Sequence, residues 1–167
     1  SEDCFHWEFV RTLDRSCSRY GKMWECPDFF PLNGRQVLII SPQEMEPEGL
    51  EFHTGNGTVC LIGDCEPESG DFVRQHAQAI DYGLDFYAPQ TLLAPDGRRV
   101  MIAWMQNWAS VGAKPAHCRW FGQMTLPREL SVRDGRLYQV PVRELERCRR
   151  HYVKHTGIAV TGETSLP

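Results

Sequence analysis

Apolar and polar residues alternate along most of the chain with the period of two expected for strands, broken at short intervals by glycine, proline, asparagine and aspartate. The opening run Phe5-His6-Trp7-Glu8-Phe9-Val10 alternates aromatic and polar positions and predicts a half-buried strand. Next comes the stretch Trp24-Glu25-Cys26-Pro27-Asp28-Phe29-Phe30, followed by a turn at Asn33-Gly34 and the apolar run Gln36-Val37-Leu38-Ile39-Ile40-Ser41. Asn-Gly between two apolar runs is a strong short-range hairpin signal. A weaker strand pair is expected around residues 50–53 and 58–63, joined by Gly55-Asn56-Gly57, with a turn at Glu66-Pro67-Glu68-Ser69-Gly70-Asp71. A further hairpin runs from Phe86-Tyr87-Ala88-Pro89-Gln90-Thr91-Leu92-Leu93 through Pro95-Asp96-Gly97 into Val100-Met101-Ile102-Ala103-Trp104-Met105.

The strings Asn33-Gly34-Arg35-Gln36-Val37-Leu38-Ile39 and Asp96-Gly97-Arg98-Arg99-Val100-Met101-Ile102 share one form, and Asp134-Gly135-Arg136-Leu137-Tyr138-Gln139-Val140 is a looser third copy. A strand-turn-strand unit repeated at intervals of tens of residues suggests an all-β array such as propeller blades. Helical periodicity is confined to residues 142–150, with Leu145 and Cys148 on one face and Glu144, Arg147 and Arg149 outside. Ile158-Ala159-Val160 alternates weakly in the tail, which reads as the start of another unit.

Composition narrows the class. The 167 residues are 41% hydrophobic and 24% charged, an ordinary globular balance with material for one substantial core. The net charge of -4, with acids and bases interspersed, argues against nucleic acid as a partner. No apolar run approaches the roughly 18 to 20 residues that span a bilayer, so no membrane partner is expected. Seven cysteines without a Cys-x-x-Cys pair or zinc-type histidine spacing argue against a disulfide framework and a structural metal, and predict reduced thiols in a cytoplasmic setting.

Glu25 is the first chemical candidate. It lies between an indole and a cysteine, with Asp28 and two phenylalanines close by in sequence. Desolvation and a neighbouring carboxylate would both raise its pKa, which suits a general acid near neutral pH; a solvent-facing glutamate at a strand entry is the alternative.

Three blocks then carry a resemblance: Trp24-Glu25-Cys26-Pro27-Asp28, Asp81-Tyr82-Gly83-Leu84-Asp85-Phe86-Tyr87-Ala88-Pro89-Gln90-Thr91, and Gly122-Gln123-Met124-Thr125-Leu126-Pro127-Arg128-Glu129-Leu130. In this order and spacing they resemble glycoside hydrolase family 32, the invertases, sucrose-6-phosphate hydrolases, inulinases and levanases. The resemblance implies part of a five-bladed β-propeller, about three blades over residues 1–141, then a short linker helix at 142–151 and, at 152–167, the start of a β-sandwich or a disordered tail. It implies a bacterial, cytoplasmic β-fructofuranosidase without a cofactor or metal, acting on a small carbohydrate.

Residue by residue, Glu25 matches the general acid/base. Asp81 and Asp85 compete for a carboxylate that contacts the sugar, Trp104 and Trp24 are expected at the substrate, and Cys26 and Asp28 are expected to shape the environment of the acid. Retention requires a nucleophilic carboxylate roughly 5 to 5.5 Å from the acid/base. The family's Asn-Asp-Pro-Asn-Gly and Arg-Asp-Pro elements, which hold the nucleophile and a transition-state aspartate, are absent from this sequence. The resemblance therefore implies a piece covering the second half of the propeller, beginning inside the third blade, inactive alone and prone to self-association. Lys114, His117 and Arg119 read as solvated loop charges. A non-catalytic sugar-binding or structural propeller module is the alternative function.

Overall fold

The computed structural model describes residues 1–151, 153–159 and 161–163. It is all-β, built from two four-stranded antiparallel sheets in which each strand pairs with the next in sequence. The first sheet comprises β1 (Met23–Leu32), β2 (Arg35–Gln43), β3 (Val59–Cys65) and β4 (Phe72–Ala79). The second comprises β5 (Tyr87–Leu93), β6 (Arg99–Trp104), β7 (Arg128–Arg133) and β8 (Arg136–Pro141). Strand β1 lies against β5, and β3 and β4 against β8, so the sheets stack in the same order as adjacent blades of a partial β-propeller.

The first sheet is covered on both faces, which is why its central strands read as unbroken apolar runs. Val37, Ile39, Cys60 and Ile62 point into the core between the sheets, where they meet Phe30, Ile80, Phe86, Met101, Ala103, Leu130, Val132 and Leu137. Their alternates Leu38, Ile40, Val59 and Leu61 point outward into a second cluster with Tyr20, Met45, Phe52 and Phe72. The far face of the second sheet is open, and Leu92, Ile102, Tyr138 and Val140 are exposed.

Turn chemistry fixes the hairpins. Asn33 and Gly34, and again Asp134 and Gly135, both have positive φ, as a two-residue hairpin matched to strand twist requires. Asn33 also accepts a 2.8 Å hydrogen bond from the Val132 amide, tying the first turn of one blade to the other blade. Gly63 sits at a register shift between β3 and β4, and a methyl there would collide with the Val73 carbonyl. Gly63→Ala is therefore expected to lower stability by roughly 2 kcal/mol, checked by chemical denaturation.

Several expectations change. The three expected blades are two four-stranded sheets among the described residues. Residues 5–10 form no strand, and Phe5 and Trp7 are 86% and 75% exposed, so the alternation there has no sheet to bury against. Residues 50–53 contribute only a bridge pair, Glu48 with Phe52. The helix expected at 142–150 is a 3-10 helix over Arg143–Cys148 with no buried residue. It is held instead by charge: Arg98 bonds to Glu144 at 2.6 Å and to Asp96 at 2.8 Å. That partnership lowers the Glu144 pKa to about 2. No strand follows Pro141 among the described residues, and Tyr152, Val160 and residues 164–167, on which part of the sandwich expectation falls, lie outside them. No helix of the described residues is long and apolar enough to cross a membrane.

Candidate active site

Glu25 lies near the start of β1, Gln43 at the end of β2, Tyr87 at the start of β5 and Trp104 at the end of β6. An antiparallel meander brings these four positions to one end of the paired sheets. Each innermost strand carries the same irregularity there. The register shifts between Glu25 and Asp28 in β1 and between Tyr87 and Gln90 in β5. The residue after each of Glu25 and Tyr87, Cys26 at φ 47 and Ala88 at φ 48, is left-handed and precedes a proline. Glu25-Cys26-Pro27 and Tyr87-Ala88-Pro89 are thus one bulge repeated in neighbouring blades. Bulges re-aim side chains, and here they turn Glu25 and Tyr87 toward each other.

The Tyr87 hydroxyl donates to Glu25 Oε2 at 2.8 Å, the Gln43 amide at 2.7 Å and the Trp108 indole N–H at 3.1 Å. Among the described residues, all hydrogen bonds to this carboxylate converge on Oε2, which leaves Oε1 as the oxygen able to exchange a proton with a ligand. Tyr87 is 1% exposed and sits close to the Ser41 carbonyl, at 3.1 Å.

These donors reverse the expected shift at Glu25. Its pKa is lowered, first by Tyr87, then by Trp108 and Gln43, and burial opposes them only weakly. Hydrogen bonds to the charged form outweigh desolvation at a half-exposed carboxylate. Asp28 does not add the expected repulsion, because its oxygens are committed elsewhere: Oδ2 accepts from the Thr91 N–H at 2.8 Å and hydroxyl at 2.6 Å, and Oδ1 faces Arg99 at 3.4 Å. Burial pushes the exposed-side thiol of Cys26 up, and the Glu25 charge adds to that. The Tyr87 phenol is raised by burial and then by Glu25.

The other sequence candidates fall in different places. Trp104 meets Trp108 edge to face with centroids 5.9 Å apart, so it supports the indole that reaches Glu25. Trp24 lies on the opposite side of β1, packed against the outer core, with its N–H donating to the Tyr20 carbonyl at 2.6 Å. Asp81 pairs with Arg128 at 2.8 Å. Asp85 accepts from Ser110 at 2.6 Å and from Asn107 at 3.2 Å. Asp81 and Asp85 line a cleft of about 350 Å³ with Met105 and Arg128. Lys114, His117 and Arg119 are exposed.

Sequence reasoning missed Tyr87, Gln43 and Trp108. The internal match of Glu-Cys-Pro to Tyr-Ala-Pro, at equivalent places in two blades, was the available signal for Tyr87. Nothing local marks Gln43 or Trp108, whose approach depends on strand pairing and on the path of residues 105–127.

Two stacked four-stranded blades, with a hydrogen-bonded carboxylate near the start of an innermost strand, define the chain as propeller-type. Residues 1–141 match the family described as "Glycosyl hydrolases family 32 N-terminal domain", and the chain belongs to that family. It is 44% identical over 144 residues to a raffinose invertase of Escherichia coli, covering 86% of this chain and 30% of that protein. To a probable sucrose-6-phosphate hydrolase of Psychromonas ingrahamii it is 39% identical, covering 99% of this chain and 30% of the relative. The fold superposes on a family 32 beta-fructofuranosidase from Bombyx mori with a TM-score of 0.79 at 35% identity, covering 92% of this chain and 33% of that one. A mutant of that silkworm protein has been solved in complex with sucrose and matches with a TM-score of 0.81. The chain thus spans about a third of the proteins it matches.

Proposed function

We propose that the protein carrying this chain is a retaining β-fructofuranosidase and that Glu25 is its general acid/base. The observation that carries this reading is the carboxylate at the junction of two blades, anchored through one oxygen by Tyr87, Gln43 and Trp108 with the other oxygen open. In the first half-reaction Glu25 Oε1 donates its proton to the glycosidic oxygen as that bond breaks, and a carboxylate from elsewhere in the protein bonds to the anomeric carbon. In the second, Glu25 takes a proton from water, whose oxygen displaces the carboxylate and releases fructose with net retention. The anchored anion is the form the second step needs. Substrate binding, by excluding water from this half-exposed group, favours the protonated form that the first step needs.

Sucrose-type fructosides are the substrate class we infer, in keeping with the relatives' names. The Asn-Asp-Pro-Asn-Gly and Arg-Asp-Pro elements that hold the family's other two carboxylates do not occur in this sequence, and we infer that the 167-residue chain alone does not turn over sucrose. The full-length protein should release fructose from sucrose, sucrose 6-phosphate or raffinose, with the first-formed anomer identified by NMR as the β form. Absence of release from all three, or an inverted first product, would overturn the reading.

Tyr87→Phe removes the largest cause of the lowered Glu25 value. The first step requires Glu25 protonated, so kcat/KM falls as pH rises through its pKa. Raising that pKa moves the alkaline limb of the profile to higher pH, which a pH-rate series on the Tyr87→Phe protein checks.

A further inference from the structure

Trp108 is 53% exposed, so burial does not fix its orientation. It nonetheless places its N–H on Glu25 Oε2 across 83 residues of sequence. What holds it lies on either side in the chain. Asn107 is only 6% exposed and has its side chain fully engaged. Its Nδ2 donates to the Leu84 carbonyl at 2.5 Å and to Asp85 Oδ1 at 3.2 Å, while its Oδ1 accepts from the amides of Ala109 at 2.7 Å and Ser110 at 3.3 Å. The Ser110 hydroxyl donates to the same Asp85 oxygen at 2.6 Å and accepts from the Asn107 amide at 3.1 Å. Asp85 and Asn107 thereby staple the segment before β5 to the loop after β6, and the loop's backbone is pinned immediately before and after Trp108.

We propose that Asp85, Asn107 and Ser110 form a polar clasp that positions the Trp108 indole on Glu25, which makes Asp85 a positioning residue and not a carboxylate that grips the sugar. A buried amide that is satisfied on every side rigidifies its surroundings. The bonds of Asn107 hold the backbone on both sides of Trp108 in the position from which its indole reaches Glu25. The consequence for the reaction rests on the reading of Glu25 as the acid/base: with the clasp intact, Trp108 is a standing donor to the anion that must collect a proton from water.

The groups facing Glu25 are the Tyr87 hydroxyl from β5, the Gln43 amide from β2, the Cys26 thiol from β1 and the Trp108 indole from the loop. Only the last depends on the clasp. The test uses the full-length protein with carboxyl-labelled glutamate and nitrogen-labelled tryptophan, followed by NMR through a pH titration. Glu25→Gln and Trp108→Phe identify the two signals by their loss. Trp108→Phe should raise the Glu25 midpoint, and Asn107→Ala should raise it equally and shift the Trp108 indole signal toward that of a solvated indole. The double variant should move it no further.

An Asn107→Ala protein with both signals at their wild-type positions, or one that shifts the midpoint equally in the Trp108→Phe background, would refute the clasp even if the protein melts earlier. Should Asn107→Ala fail to fold, Asp85→Ala, at an exposed position, and Ser110→Ala decide the matter: a midpoint shift of the same sign supports the clasp, and none refutes it. Hydrolysis assays run in parallel separate the two ideas. Activity with no midpoint shift sinks the clasp alone, and a midpoint shift in a protein that hydrolyses no fructoside sinks the proposed function alone.

Discussion

Glu25→Gln in the full-length protein is expected to lower kcat on sucrose by about a thousandfold, the usual scale for loss of a positioned general acid. The amide matches the carboxylate in shape and keeps an oxygen that can accept from Tyr87, Trp108 and Gln43, so KM should change little. What is lost is the proton on Oε1. A substrate whose leaving group departs without protonation separates this from a folding defect. With an aryl β-fructofuranoside the first step should survive, the second should fail for want of a base, and the aryl alcohol should appear as a stoichiometric burst followed by slow turnover. Azide, which needs no deprotonation, should then restore turnover and give a fructosyl azide of retained configuration. A variant that hydrolyses sucrose within about threefold of wild type would remove Glu25 from the mechanism.

The parts of this site legible in sequence are those set by short-range rules. Asn33-Gly34, Pro95-Asp96-Gly97 and Asp134-Gly135 each mark a hairpin because their turns require positive φ, which few residues adopt cheaply. Strands β2, β3, β6 and β8 follow from apolar runs between such turns. Strand β4 went unread because Phe72-Val73-Arg74-Gln75-His76-Ala77-Gln78-Ala79 carries polar residues on its inner positions. There Gln78 donates to the Leu137 carbonyl at 3.1 Å and accepts from the Leu137 amide at 2.8 Å, joining the blades through an amide where a hydrophobic pattern would have been conspicuous. At residues 5–10 the converse holds, since alternation without a partner strand makes no sheet.

For the site, the motif singles out Glu25 as the candidate, but it does not give the sign of the pKa shift. Trp24, Phe29 and Asp28 are neighbours of Glu25 in sequence only. The bulge at Cys26 breaks the simple alternation, Trp24 and Phe29 pack on the outer cluster, and Asp28 turns to Arg99. The groups that do surround the carboxylate come from 18, 62 and 83 residues away. No window around residue 25 contains them.

Asp28 supplies the second large effect. Its side chain is 13% exposed and that of its partner Arg99 17%, so the pair is nearly withdrawn from water. The Thr91 hydroxyl donates to Asp28 Oδ2 and accepts from Arg99 Nε at 2.7 Å, which closes a ring of three side chains from β1, β5 and β6. The guanidinium lies 3.9 Å from the centre of the Phe30 ring, over the core between the blades. Asp28→Ala would leave that cation buried without its counter-ion and strip the Thr91 amide of its acceptor, and removing one partner of such a pair costs about 3 kcal/mol. Urea denaturation should show the loss. Asp28→Ala combined with Arg99→Leu should recover part of it, because the uncompensated charge is then gone while apolar contact with Phe30 remains. The clamp joins β1 to β5 just past the two bulges, so the same substitution should loosen the approach of Tyr87 to Glu25 and raise the Glu25 titration midpoint. Asp28→Ala with wild-type stability would show that this clamp contributes nothing to holding the two blades together.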